Sequence, residues 1–243
     1  MNNFNIQSLT IAQKKTRQRI LEISHQKNLS HLGSCLSSID LIDGIYKIKN
    51  KNEKFILSNG HAGVALYAIL EKNGFIKNLD IENLHVHPDK NSKLGIDVST
   101  GSLGQGLPIA LGIAIADKSK NVYCMLSDGE CTEGSVWESL RIASENKVSN
   151  LKIIVNANGW GGYDAIDLNF LIKRFKAYEY NIKEIDGHDV SAIAEALKFT
   201  KEDGQTVIFA KTSTDQFSFL KGLGAHYYIM NDDDYKEASD LLR

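Results

Sequence analysis

At 243 residues, with 28 Lys and Arg against 30 Asp and Glu, a net charge of −2 and 42% hydrophobic side chains, the chain has the composition of an ordinary globular domain with ample material for a core. Its cations are dispersed rather than striped, which argues against nucleic acid or an anionic membrane as a partner. No apolar run approaches a membrane span, the N-terminal segment lacks a signal-peptide core, and Cys35, Cys124 and Cys131 lack zinc-type spacing, so a cytoplasmic protein with reduced thiols is expected.

In chain order, helical periodicity covers residues 8 to 27 and 37 to 48, separated by the polar, glycine-containing break Ser30-His31-Leu32-Gly33-Ser34. A further helix begins after Ser58-Asn59-Gly60-His61, and residues 86 to 102 form a long irregular segment, of the kind that is usually functional or disordered. After a helix over 103 to 118, residues 121 to 126 are strand formers, 133 to 146 carry apolar side chains at helical spacing, and 151 to 155 are a second buried-strand run. This is a β-α-β unit with parallel strands. A helix near 167 to 174, a strand near 179 to 185, a helix over 189 to 199 and a strand over 206 to 210 continue the alternation. Residues 212 to 231 show no clear period, and 232 to 242 read as a closing helix. With no linker in view, residues 1 to 243 are expected to form a single three-layer α/β/α domain with a mainly parallel sheet.

The most informative stretch is Leu126-Ser127-Asp128-Gly129-Glu130, answered after the next strand by Asn156-Ala157-Asn158-Gly159. Ligands of parallel sheets bind beyond the carboxyl ends of the strands, where Asp128 and Asn158 both fall. A carboxylate and an amide oxygen form a hard donor pair suited to Mg²⁺ or Ca²⁺, and Mg²⁺ completes its shell with phosphate oxygens and water. Gly129 permits a tight turn, and the helix that follows favours an anion at its N-terminus. An Asp-Gly after a strand is, taken alone, commonly just a turn. Four more motifs stand on loops at the expected strand ends: SHLGS around His31, SNGH around His61, HVHPD around His87, and STGSLGQG over 99 to 106.

Together with SDGE and NANG, and in the same order, these motifs resemble the thiamine-diphosphate-binding N-terminal domain of transketolase, over nearly the whole chain. The resemblance implies thiamine diphosphate held through Mg²⁺, with Ca²⁺ or Mn²⁺ as substitutes. Asp128, the Asn158 side chain and the Trp160 carbonyl match the family's metal ligands, and Gly129 matches a backbone contact to the diphosphate. His61 and His226 match histidines beside the diphosphate and reaction centre, while His31 and His87 match those of the substrate channel. Gly101, Leu103 and Gly104 match contacts to the cofactor ring, and Glu133 matches a glutamate that links two cofactor sites across a subunit interface. Loop histidines suit a reaction that moves protons at hydroxyl and carbonyl oxygens.

His61 at a helix start would otherwise simply cap a turn, and His226 lies in a segment whose match is loose. His25, His85 and His188 have no matching role and are expected at the surface. The glycines of SLGQGLPIALG lack a preceding strand, which argues against a dinucleotide site. Three departures from the family pattern stand out: Ser127 for a glycine, Asn59 for a lysine and Val86 for a glycine. The larger one is length, because the pyrimidine-binding and C-terminal domains of a complete transketolase are not in this sequence. The expectation is the N-terminal subunit of a split transketolase, active with a separate C-terminal subunit that carries the pyrimidine-binding domain, as a heterotetramer acting on sugars or sugar phosphates. Rival readings are the α subunit of a 2-oxoacid dehydrogenase, a deoxyxylulose-phosphate synthase-like protein, or a non-catalytic cofactor-binding scaffold.

Overall fold

A computed structural model describes residues 4–199 and 205–243. Helices α1 (Ile11–Gln26) and α2 (Leu32–Ile48) precede strand β1 (Lys54–Leu57) and helix α3 (Gly63–Lys72). A long connection leads to α4 (Gly106–Ala116), β2 (Val122–Ser127), α5 (Gly134–Glu145), β3 (Leu151–Ala157), α6 (Leu168–Ala177) and β4 (Asn181–Asp186). The chain closes with α7 (Val190–Phe199), β5 (Thr206–Lys211), the single turn α8 (Gly224–Tyr227) and α9 (Asp232–Leu241). All four strand pairings are parallel, in the order β1-β2-β3-β5-β4. Among the described residues no helix is long and apolar enough to cross a membrane.

The sheet sorts its side chains by alternation. Tyr123 and Met125 of β2 and Ile208 of β5 join the apolar cluster under α1, α2, α3 and α7, while Val122, Cys124 and Leu126, with Val207 and Phe209, join the cluster under α4, α5 and α6. Strands covered on both faces read as continuous apolar runs, and β2 and β3 are buried along their whole length. Three-layer α/β/α architecture follows directly, and all three cysteines are buried and unpaired.

Three expectations are corrected. Residues 54 to 57 form an edge strand that the sequence pattern does not announce, because the run FIL merges with the apolar pattern of the next helix. The break between the first two helices is shorter than expected, since α2 already starts at Leu32 and absorbs Gly33 and Ser34. Small residues are needed there: a Cβ on Gly33 would come within 2.9 Å of the Ala225 Cβ. His31, at φ 65, and Asn28, at φ 49, break the helical path between α1 and α2.

The third correction concerns His188, which is half-buried with its side chain only 8% exposed rather than at the surface. Its Nδ1 lies 2.9 Å from Asp40 Oδ2, and its Nε2 accepts the Ser213 N–H at 3.0 Å, which fixes the Nδ1–H tautomer. Asp40 also takes a two-pronged contact from the fully buried Arg17, at 3.0 and 2.6 Å, and Arg17 Nε donates to Gln216 at 2.8 Å. Burial pushes the Asp40 carboxyl up, but Arg17 and His188 outweigh it and hold it at about 2. His25 is half-buried, stacked on Tyr235 and 2.8 Å from Asp232, so it joins α1 to α9. His85 is exposed, as expected.

Candidate functional site

Every strand of a parallel sheet ends on the same edge, so the loops after β1, β2, β3 and β5 converge. Those loops contribute His61, the 127–130 turn, the 158–162 turn and Thr214 to the wall of one cavity of about 260 Å³. The long α3–α4 connection adds His87, Gly101 and Leu103, the start of α2 adds His31 and Ser34, and the segment around α8 adds Gly222 and His226.

Asp128 stands at the end of β2, fully buried behind that wall. Its Oδ1 accepts the Gly129 N–H at 3.0 Å and its Oδ2 accepts the Gly159 N–H at 2.6 Å, so the carboxylate bridges the two loops. Asn158 Oδ1 accepts the Trp160 N–H at 2.9 Å, which curls the second loop and brings the Trp160 carbonyl back toward Gly129. Gly129 must be glycine: a Cβ there would lie 2.8 Å from Gly161 Cα. Beneath the loops, the fully buried Asn156 donates to Ser37 and Ser38 at 2.9 Å each and accepts from Thr212, locking β3 to α2 and to the end of β5.

Desolvation pushes the Asp128 carboxyl up to about 7 against the pull of its amide donors, because no cation among the described residues faces it. A hard divalent ion would supply that charge, and Asp128, Asn158 Oδ1 and the Trp160 carbonyl are the oxygens at hand. Among the described residues no group of three or more His, Cys, Asp or Glu forms a closed metal cage. A carboxylate, an amide oxygen and a backbone carbonyl are hard donors, which fit an ion that completes its shell with phosphate oxygens and water.

The four histidines gather as a cluster. The His31 ring centroid lies 4.4 Å from His226, 5.5 Å from His61 and 6.1 Å from His87, and His61 lies 5.3 Å from His226. The His31 N–H donates to the His226 carbonyl at 2.9 Å, which ties the start of α2 to α8. Burial, reinforced by the neighbouring imidazoles, lowers His31 to about 4 and His61 to about 3, and burial lowers His226 as well. These three rings are uncharged at neutral pH. His87 packs against Gly101, whose φ of 131 and whose spacing of 2.6 Å from a would-be Cβ to the imidazole both demand glycine.

Of the residues named from the sequence, His31, His61, His87, His226, Gly101, Leu103, Gly129, Asn158 and Trp160 share the cavity wall. Gly104 lies just behind it, its N–H on Glu130 and its carbonyl on Ser135 Oγ. Glu133 is exposed at the N-terminus of α5, outside the wall. Sequence reasoning missed Glu130, which is fully buried yet lines the cavity and is pushed up to about 7 by desolvation. Its presence inside the SDGE motif was the available signal. Ser34 and Thr214 were missed too, the first within a motif and the second in a stretch without period.

A family model described as the thiamine diphosphate binding domain of transketolase matches residues 18–238. Human transketolase is 33% identical across 85% of this chain, but across only 37% of its own length, so the chain spans just over a third of that relative. One of the named subunits of apulose-4-phosphate transketolase, that of Actinobacillus succinogenes, is 28% identical across 100% of this chain and 99% of its own length. The protein of the same name from Phocaeicola vulgatus is 26% identical, covering 96% and 93%. Among solved structures, transketolase from Campylobacter jejuni superposes with a TM-score of 0.80 at 28% identity, over 98% of this chain and 43% of that one.

Proposed function

The chain belongs to the family of transketolase thiamine-diphosphate-binding domains, and from that premise we propose that it is the diphosphate-holding subunit of a split, thiamine-diphosphate-dependent transketolase. It works in the cytoplasm with a second chain that carries the pyrimidine-binding domain, in a heterotetramer, and transfers a two-carbon ketol unit between sugars or sugar phosphates. Residues 1 to 243 form one domain in this reading. Support comes from the end-to-end likeness to proteins whose names mark them as one subunit of an apulose-4-phosphate transketolase.

The observation that carries the proposal is the joining of two loops by the buried Asp128 beside a cluster of uncharged histidines. Asp128, Asn158 and the Trp160 carbonyl hold Mg²⁺, for which Ca²⁺ or Mn²⁺ substitutes, and the Gly129 backbone meets the diphosphate. Gly101, Leu103 and Gly104 seat the ring. Bound thiamine diphosphate supplies the electron sink for breaking a carbon–carbon bond beside a carbonyl. The protein's share is to hold and move protons at the sugar's hydroxyl and carbonyl oxygens. A neutral imidazole carries one N–H and one acceptor nitrogen, so His31, His61 and His226 can each give or take a proton without first losing one to solvent. In this reading Glu133, which is exposed, meets a neighbouring subunit.

The test is affinity isolation of the chain from its native cells with thiamine diphosphate and Mg²⁺ present, followed by a ketol-transfer assay of the eluate. A stoichiometric pyrimidine-domain partner and activity that disappears with Asp128→Ala are expected. Full turnover by the purified chain alone, or a solitary chain with no turnover, sinks the split-enzyme reading.

A further inference from the structure

Glu130 is the most unevenly bonded group in the cavity wall. Its Oε1 accepts two short hydrogen bonds, from Ser58 Oγ at 2.6 Å and from the Gly104 N–H at 2.7 Å, while its own backbone N–H is held by Ser127 Oγ at 3.1 Å. Its Oε2 has no hydrogen-bond partner among the described residues, although the residue is fully buried. A buried carboxyl oxygen without a donor is costly unless something else satisfies it. The carboxyl is pinned through Oε1 only, which leaves the lone pairs of Oε2 for a donor from outside the chain at a residue that lines the cavity.

Three elements meet at this group. Ser58 follows β1, Gly104 belongs to the loop that seats the ring, and Glu130 follows the metal-site turn. Asn59, next to Ser58 and also fully buried, leaves both its amide oxygen and its amide nitrogen without partners among the described residues, as does the Thr100 hydroxyl at the other end of the ring loop. Unsatisfied polar atoms therefore flank both Ser58 and the loop that carries Gly101 and Gly104, and His31 Nδ1 is a further one in the cavity wall.

Resting on the function proposed above, we infer that Glu130 is a further cofactor-contacting residue, whose Oε2 accepts a hydrogen bond from the exocyclic amino group of the aminopyrimidine. The chemistry of the cofactor narrows the donor. Its diphosphate offers only acceptors and negative charge, which a carboxylate repels, and its thiazolium has no N–H; the amino group on the pyrimidine is the donor that remains. Glu130 thus reads the pyrimidine end from the diphosphate-holding chain, before any partner closes over it.

The experiment compares, by calorimetry on the full chain with Mg²⁺, binding of thiamine diphosphate and of its analogue lacking the pyrimidine amino group. The wild type is expected to prefer the natural cofactor by about 10-fold or more, the range of a hydrogen bond to a charged group. Glu130→Gln keeps an oxygen for Ser58 and Gly104 but puts an N–H₂ donor in place of Oε2, and should reduce the preference to about 3-fold or less while the melting temperature holds. Glu130→Asp, which keeps the charge and withdraws the oxygen by one methylene, should do the same and serves if the first variant does not fold. An unchanged preference in either folded variant, or a wild type that does not distinguish the two ligands, overturns the inference alone. A wild type that binds neither ligand removes the proposed function and this inference with it.

Discussion

Two buried polar regions of this domain treat charge in opposite ways. Around Arg17, every group is matched: the guanidinium grips Asp40, His188 gives Asp40 its Nδ1 proton and takes an N–H from Ser213, and Gln216 satisfies Arg17 Nε. Around Asp128 and Glu130, equally buried carboxyls face no cation among the described residues, one oxygen lacks any donor there, and both groups are pushed up to about 7. The same burial thus gives a closed structural joint in one place and an open demand for a ligand in the other. A buried carboxyl whose pKa is kept low by its own chain is at rest. One driven upward is available for chemistry.

The comparison breaks most visibly at Asp40. Asp40→Ala strands a buried guanidinium and should cost about 3–5 kcal/mol in urea unfolding; a loss below about 1 kcal/mol would mean that the joint is not what it looks like. The counterpart, Asp128→Ala, should leave the ligand-free chain within about 1 kcal/mol of wild type, since it removes an uncompensated charge along with two amide contacts. Binding of thiamine diphosphate with Mg²⁺ should nevertheless weaken by about 100-fold or more, equal to roughly 3 kcal/mol.

Protonation sharpens the contrast further. The His31 and His61 values lie below the unfolded 6.5, so the unfolded chain takes up protons first as pH falls. Their contribution is complete above pH 6.5, is lost progressively below it, and levels off once the folded rings protonate near 4 and 3. Asp128 and Glu130 act in the other direction, retaining protons in the folded chain that the unfolded chain sheds, so their contribution falls as pH rises toward 7. Comparing wild type with His61→Gln isolates the first effect: the urea midpoint of wild type should drop relative to the variant between pH 7.5 and pH 5, about the window below the unfolded value. A constant difference would show that His61 is not held neutral.

The smallest effect is expected at Asn59. Because neither side-chain atom has a partner among the described residues, Asn59→Leu should change the stability of the ligand-free chain by no more than about 1 kcal/mol and in either direction. A loss of several times that figure in thermal unfolding would reveal a hidden bond at that amide.

Much of this was legible in the chain itself, and the failures have a common cause. The β-α-β unit of residues 122 to 157 is local, and its strand runs and loop ends were visible in order. His188 was misread because what buries it lies far away in sequence: Asp40 and Arg17 are 148 and 171 residues distant. Glu130 went unremarked for the same reason, since its partners Ser58 and Gly104 are 72 and 26 residues off. The start of α2 was misplaced because Gly33, Ser34 and the serines after it are poor helix formers, kept helical by tight packing against α8 and the loop after β5. Motif spacing reports what meets a ligand, whereas tertiary pairing decides what is buried beside it.

The span of the Arg17 joint also sets a timetable. Its hydrogen bond to Gln216 joins residues 199 positions apart, the pairing with His188 spans 171, and the bridge from Gly159 to Asp128 spans only 31. Contacts between distant residues demand the most loop closure and slow folding accordingly. On the ribosome, the turn bridged by Asp128 can be assembled once β3 has emerged, while helix α1 keeps its buried arginine incompletely matched until β5 and the loop after it arrive.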